Sequence, residues 1–131
     1  MIKYNIITDE HGNKVAVTAT ITGCSNAVIE RLERRFGDQM TPRMRELATI
    51  SDSYTGKVSC RDGEEFIEEE MIKYARWKVL DKYHIACMKA VARVENYIYR
   101  MHEEWTKVTM REIQRNIRMI ADKFTKNTKK K

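Results

Sequence analysis

The spacing of apolar residues divides the chain into two regimes. Ile2 to Thr8 and Lys14 to Thr22 are rich in β-branched residues, and in the second run Val15, Val17, Ala19 and Ile21 alternate with polar partners. A period of two places one face of a strand against a core. Asp9-Glu10-His11-Gly12-Asn13 between the runs reads as a hairpin connection, and Gly23 ends the hairpin. Ser25 or Asn26 can then cap a short helix carrying Val28, Ile29, Leu32 and Phe36, with Gly37 as its stop. Thr41-Pro42 is a cap followed by Pro at the first helical position, which predicts another short helix through Leu47 and Ile50. Tyr54 to Cys60 returns to strand character and is expected to add a third strand.

Beyond residue 61 the period changes. Residues 62–105 predict one long helix, with Asp62 and Glu65 as a capping box and Glu64, Glu65, Glu68, Glu69 and Glu70 at its positive end. Ile72, Ala75, Val79, Tyr83, Ala86, Ala90, Val94, Tyr97, Met101 and Trp105 step by three, four and four, so they keep to one side of a nearly straight helix. At 1.5 Å per residue such a helix is about 60 Å long. That length needs something packed along it, and a second copy of the chain is the expected partner. A break follows, and Thr109-Met110-Arg111-Glu112 reads as a second capping box. Met110, Ile113, Ile117, Ile120, Ala121 and Phe124 then predict a C-terminal helix over 109–124, folded back as a helical hairpin. Residues 125–131 form a basic tail without an apolar anchor, expected to fray. The whole reads as one α+β domain: a small N-terminal antiparallel sheet with short helices, then a helical hairpin.

Composition narrows the function. The chain has 131 residues, 42% of them hydrophobic, and a formal charge of +6. From Thr106 onwards nine basic residues face two acidic ones, a net of +7 in that segment alone. Such a segment is either a solvated tail or a surface for an anionic partner. Three scattered cysteines, Cys24, Cys60 and Cys87, suit a reducing compartment rather than a disulfide framework. Met1 leads straight into a strand-like run and no window approaches a membrane span, so a cytoplasmic protein without a membrane partner is expected.

Walker, dinucleotide, nucleophile-elbow and zinc-protease signatures are missing, so neither an enzyme nor a cofactor is expected. The acidic cluster at Glu64 to Glu70 is explained by the helix dipole without catalysis. His84 and Cys87 lie one turn apart, but two ligands do not make a zinc site. More informative are Lys82, Lys89, Arg93, Asn96 and Arg100 on the long helix and Arg111, Arg115 and Arg118 on the last, interleaved with Trp77, Tyr83, Tyr97, Tyr99 and Trp105. Arginine forks bind phosphate in pairs and aromatic rings stack on bases, so the set suits a nucleotide or nucleic acid. Tyr97 and Trp105 fall on the apolar stripe and are expected in the core. Arg93, Asn96, Tyr99, Arg100, Arg111 and Arg115 are the candidate ligand-binding residues, with Tyr99 for stacking.

Gly56-Lys57-Val58-Ser59-Cys60, then Glu64-Glu65-Phe66, Glu69 and Lys73-Tyr74-Ala75-Arg76, resembles a strand-to-helix junction of small proteins from phages of Gram-positive bacteria. With its element order, the chain looks most like the Thoeris anti-defense sponge family. It lacks Pro after Cys60 and carries Ile67 where an acidic residue is expected. The resemblance implies a non-enzymatic oligomer, acting in the host bacterial cell, that sequesters a cyclic ADP-ribose type immune signal. An alternative is an anti-CRISPR or other nucleic-acid or nucleoprotein inhibitor working through the basic C-terminal face. A structural phage protein that assembles through its long helix is a third reading.

Overall fold

The computed structural model describes residues 1–129, with side-chain surroundings through residue 123. The elements are β1 (Ile2–Thr8), β2 (Lys14–Thr22), α1 (Ala27–Phe36), α2 (Pro42–Leu47), β3 (Ser53–Ser59) and α3 (Glu68–Lys129). This is the expected α+β fold with an N-terminal antiparallel sheet, ordered β1-β2-β3. The chain divides into a unit spanning Met1–Val94 and a second beginning at Glu95.

In the first unit, register follows the period-two pattern. Ile2, Ile21 and Tyr54 are paired across the three strands, as are Tyr4, Ala19 and Gly56, and Ile6, Val17 and Val58. Directly opposed residues share a face, so these nine side-chain positions form the core face. Lys3, Asn5, Thr18, Thr20, Thr55 and Lys57 take the other, which is polar apart from the paired Ile7 and Ala16. Asp9 holds the hairpin turn, its Oδ1 accepting from the backbone N–H groups of His11 and Asn13 at 2.9 Å each. Met71, Ala75 and Val79 of α3 cluster with Val17 and Ala19, and Phe66 and Ile72 pack against them. Burying a side chain such as Val17 or Val79 completely contributes about 1.5–3 kcal/mol.

Gly56 sets how closely α3 approaches. A Cβ there would lie 2.7 Å from Val79 N and 3.0 Å from Ala75 O, so helix backbone rests directly on strand backbone. The same approach brings two lysines onto β3, an edge strand. Lys78 Nζ donates to Lys57 O at 2.9 Å and Lys82 Nζ to Thr55 O at 2.8 Å. Cys60 N–H bonds Val15 O, so even-numbered residues of β3 turn toward β2 and the carbonyls of 55 and 57 face outward. Two lysines one helical turn apart thus blunt an edge that would otherwise invite another strand.

Of the two short helices only α2 has its expected side-chain cap; at the start of α1 the Asn26 side chain makes no capping hydrogen bond. Thr41 Oγ1 accepts from Met44 N–H at 3.2 Å with Pro42 opening α2, although α2 stops at Leu47 rather than reaching Ile50. α1 begins after Asn26 and ends at Gly37. An exposed ion pair joins Arg45 of α2 to Glu33 of α1.

Three expectations about the helical part are corrected. α3 starts at Glu68, not at Asp62. Gly63 adopts φ +84° and Glu64 N–H bonds Arg61 O, forming a turn that no helix can contain. The first helical bond runs from Met71 N–H to Ile67 O, which leaves Phe66 free to reach the core. Second, there is no break at 106–109 and no helical hairpin, because α3 is continuous through Lys129. No Gly or Pro follows Gly63, and Thr106 Oγ1 bonds His102 O at 2.9 Å, satisfying the hydroxyl within the helix. Thr109 therefore caps nothing. The expected frayed tail is helical as far as Lys129, and Lys130 and Lys131 lie outside the described residues. Third, the apolar stripe does not need another chain over its first half: Ala75, Val79, Ala90 and Val94 are completely buried within the first unit. Further along, Met101 and Trp105 are exposed, so Trp105 is no core residue and stacks instead on His102.

Candidate functional site

The α2–β3 loop, residues 48–52, crosses beside α3 and borders an open, shallow cleft of about 540 Å³. Thr49, Ile50 and Ser51 line it from the loop, Tyr54 from β3, and Ala86, Lys89 and Arg93 from α3. Lys89 and Arg93 are four residues apart on a helix, so both cations reach the same side. The loop is tied down at three points. Arg93 donates from Nε to Leu47 O at 3.0 Å and from Nη2 to Thr49 O at 3.3 Å, satisfying carbonyls left over where α2 ends. Ser51 N–H donates to the Tyr54 hydroxyl at 3.2 Å. Cys24, itself buried, sends its N–H to Asp52 O at 3.3 Å and its thiol to the same oxygen at 3.2 Å.

Tyr54 continues inward to Tyr83, ring edge against ring face at 5.9 Å. Burial pushes the Tyr83 hydroxyl above its ordinary value, and its hydrogen bond to Cys87 pushes the same way. The Cys24 thiol is raised chiefly by burial, with Asp52 and Cys87 reinforcing the shift against its backbone hydrogen bond. Both groups are therefore neutral packing elements near pH 7. A second, more apolar cavity of about 400 Å³ opens between α1 and α3, with Arg31 and His84 at its polar end and Val28 and Leu80 among its walls. Cys87 borders it, and among the described residues no group of three or more His, Cys, Asp or Glu is placed to hold a metal.

The six expected ligand residues separate. Arg93 lies in the cleft, but two of its donors serve the fold. Asn96, Tyr99, Arg100, Arg111 and Arg115 belong to the second unit, and all are exposed. Without the hairpin, Arg100 and Arg115 stand about 22 Å apart along the helix. They do not converge on one small molecule within a single chain. At 100° per residue, however, Arg100, Lys107, Arg111, Arg115 and Arg118 share one side of the helix, a linear basic face. Thr49, Ser51 and Tyr54 were not foreseen. Tyr54 reads only as a strand residue, and Thr49 falls inside the helix expected to run through Ile50, which in fact ends at Leu47.

Chemically, the cleft offers the Lys89 ammonium, the remaining guanidinium N–H groups of Arg93, three hydroxyls (that of Thr49 already donating to Arg45 O at 3.0 Å) and the Tyr54 ring, beside Ile50 and Ala86. That combination can hold a phosphorylated or carboxylated small molecule. No family model, curated protein or solved structure matches the chain.

Proposed function

We propose that the protein is a binding protein rather than a catalyst, and that it captures a phosphate-bearing nucleotide of the cyclic ADP-ribose type in the α2–β3 cleft. One observation carries this reading: Lys89 and Arg93 converge on a loop already ordered by Arg93, Tyr54 and Cys24. A site whose loop is ordered before the ligand arrives spends little binding free energy on ordering it. The resemblance at residues 56–76 adds support for sequestration of an immune signal during phage infection in the bacterial cytoplasm. No helix is long and apolar enough to cross a membrane among the described residues. Isothermal titration with cyclic ADP-ribose isomers and cyclic oligonucleotides tests the reading. Wild type is expected to bind one of them. Lys89→Glu should weaken that binding at least about tenfold, the worth of a charge-assisted hydrogen bond. No heat with any of these ligands overturns it.

A second reading is favoured by the basic face of the second unit. Five cations on one side of a helix suit the phosphates of a nucleic acid or a nucleoprotein, as in an anti-CRISPR inhibitor. Replacing Arg111, Arg115 and Arg118 with Ser should then flatten the salt dependence of binding by about three in log–log slope. A ligand held in the cleft should be unaffected.

A further inference from the structure

The second unit presents another stripe, distinct from the one buried against the sheet. Met110, Ile113, Ile117 and Ile120 are 52%, 45%, 60% and 68% exposed. Their spacing is three, four, three, and Phe124 continues it by four in the sequence. This is the seven-residue repeat of a coiled-coil seam, not the eleven-residue step of the stripe from Ile72 to Trp105. From Glu95 to Lys123 no residue is buried, so helix this long has no tertiary face of its own to hold it.

The flanks say what covers the stripe. Of the positions beside the seam, Thr109, Gln114, Asn116 and Ala121 carry no charge, and Lys123 is the one charged flank between 109 and 123. Every charged residue from 110 to 122 (Arg111, Glu112, Arg115, Arg118 and Asp122) falls at an outward position of the same repeat. A partner chosen by charge would find only Lys123 to pair with at the rim. An identical helix finds the same repeat, knob for hole, with flanks that are neutral from Thr109 to Ala121 and tolerate close approach. Isoleucine at both seam positions favours three or four strands over two. We propose that the second unit assembles copies of this chain into a parallel three- or four-stranded coiled coil through Met110, Ile113, Ile117 and Ile120. The basic face formed by Arg111, Arg115 and Arg118 then points outward from the bundle. This assembly is independent of whether the cleft in the first unit holds a nucleotide.

Light scattering coupled to gel filtration on the full chain, at about 100 μM, tests it. Wild type is expected at three or four times the mass of the chain, and higher salt should strengthen association by screening the outward arginines. Ile117→Glu should yield monomer with the first unit still folded, which its tyrosine near-ultraviolet dichroism reports. Arg115→Glu, at an outward position, should leave the mass unchanged. In a background with all three native cysteines replaced by Ser, Ile117→Cys should cross-link to itself and Arg115→Cys should not. Monomeric wild type, an Ile117→Glu protein of unaltered mass, or cross-linking at 115 instead of 117 would overturn the proposal.

Discussion

Gly56→Ala asks how firmly α3 is seated on the sheet. The added methyl would meet Val79 N at 2.7 Å, Ala75 O at 3.0 Å and Lys78 C at 3.2 Å. All three are backbone atoms, so no rotamer change relieves the contact. Carbon approaches such atoms comfortably at about 3.5 Å, so α3 must lift by somewhat under 1 Å. A gap of 0.5–1 Å forfeits about a quarter to a half of each dispersion contact it opens. The lift also stretches the Lys78 and Lys82 bonds to β3 and loosens Ala75 and Val79 from Val17 and Ala19. Alanine in a strand gains about 0.5–1 kcal/mol over glycine, whereas overpacking a tight core costs about 1–3 kcal/mol and sometimes more. The clash wins, for a net loss of about 2 kcal/mol. For a unit of this size that lowers the melting temperature by about 8–16 °C. Urea and thermal unfolding of wild type and Gly56→Ala, monitored by circular dichroism, measure it, with Gly56→Val expected to be worse. A variant within 0.5 kcal/mol of wild type, or more stable, would refute the close seating of the helix.

Thr109→Ala separates a continuous helix from a capped second one: continuity predicts neutral or slightly higher stability, by up to about 0.5 kcal/mol, where a lost cap would cost about 1 kcal/mol. Thr41→Ala is the matched positive case, with a real cap bond to lose and an expected cost of about 1 kcal/mol in urea unfolding. Arg93→Met removes the exposed bonds to the Leu47 and Thr49 carbonyls and should cost about 1 kcal/mol, with Arg93→Lys recovering only part because a lysine cannot span both. Cys24 and Tyr83 both hold their protons more tightly when folded than at their ordinary values of 9.0 and 10.0. The folded state therefore binds more protons, so stability is level below about pH 9 and falls as pH rises beyond it. Urea midpoints against pH should show this, with Cys24→Ala blunting the earlier part of the decline and Tyr83→Phe the later part.

Elements whose signals lie within a few residues are legible in the chain alone. The alternation at Val17, Ala19 and Ile21 announced a one-faced strand, Thr41-Pro42 announced α2, and the run from Ile72 to Val94 announced the stripe that the sheet and short helices cover. Local chemistry sufficed because strand period, cap and helical face are all settled within i+4. It misled where a local signature competed with its surroundings. A capping box at Thr109 is worth about 1 kcal/mol, and in a segment without Gly or Pro the helix propagates through it. Asp62 has a cap's chemistry, but the turn at Gly63 and the pull of Phe66 into the core place the helix start at Glu68. Tertiary structure alone decided how the cations are used. Lys78, Lys82 and Arg93 look alike in sequence to Lys89. Yet three of them bond carbonyls 21 to 46 residues away, and Lys89 faces the cleft. Which lysine meets a strand edge depends on where that edge comes to rest. The close approach at Gly56 sets this, and no local pattern encodes it.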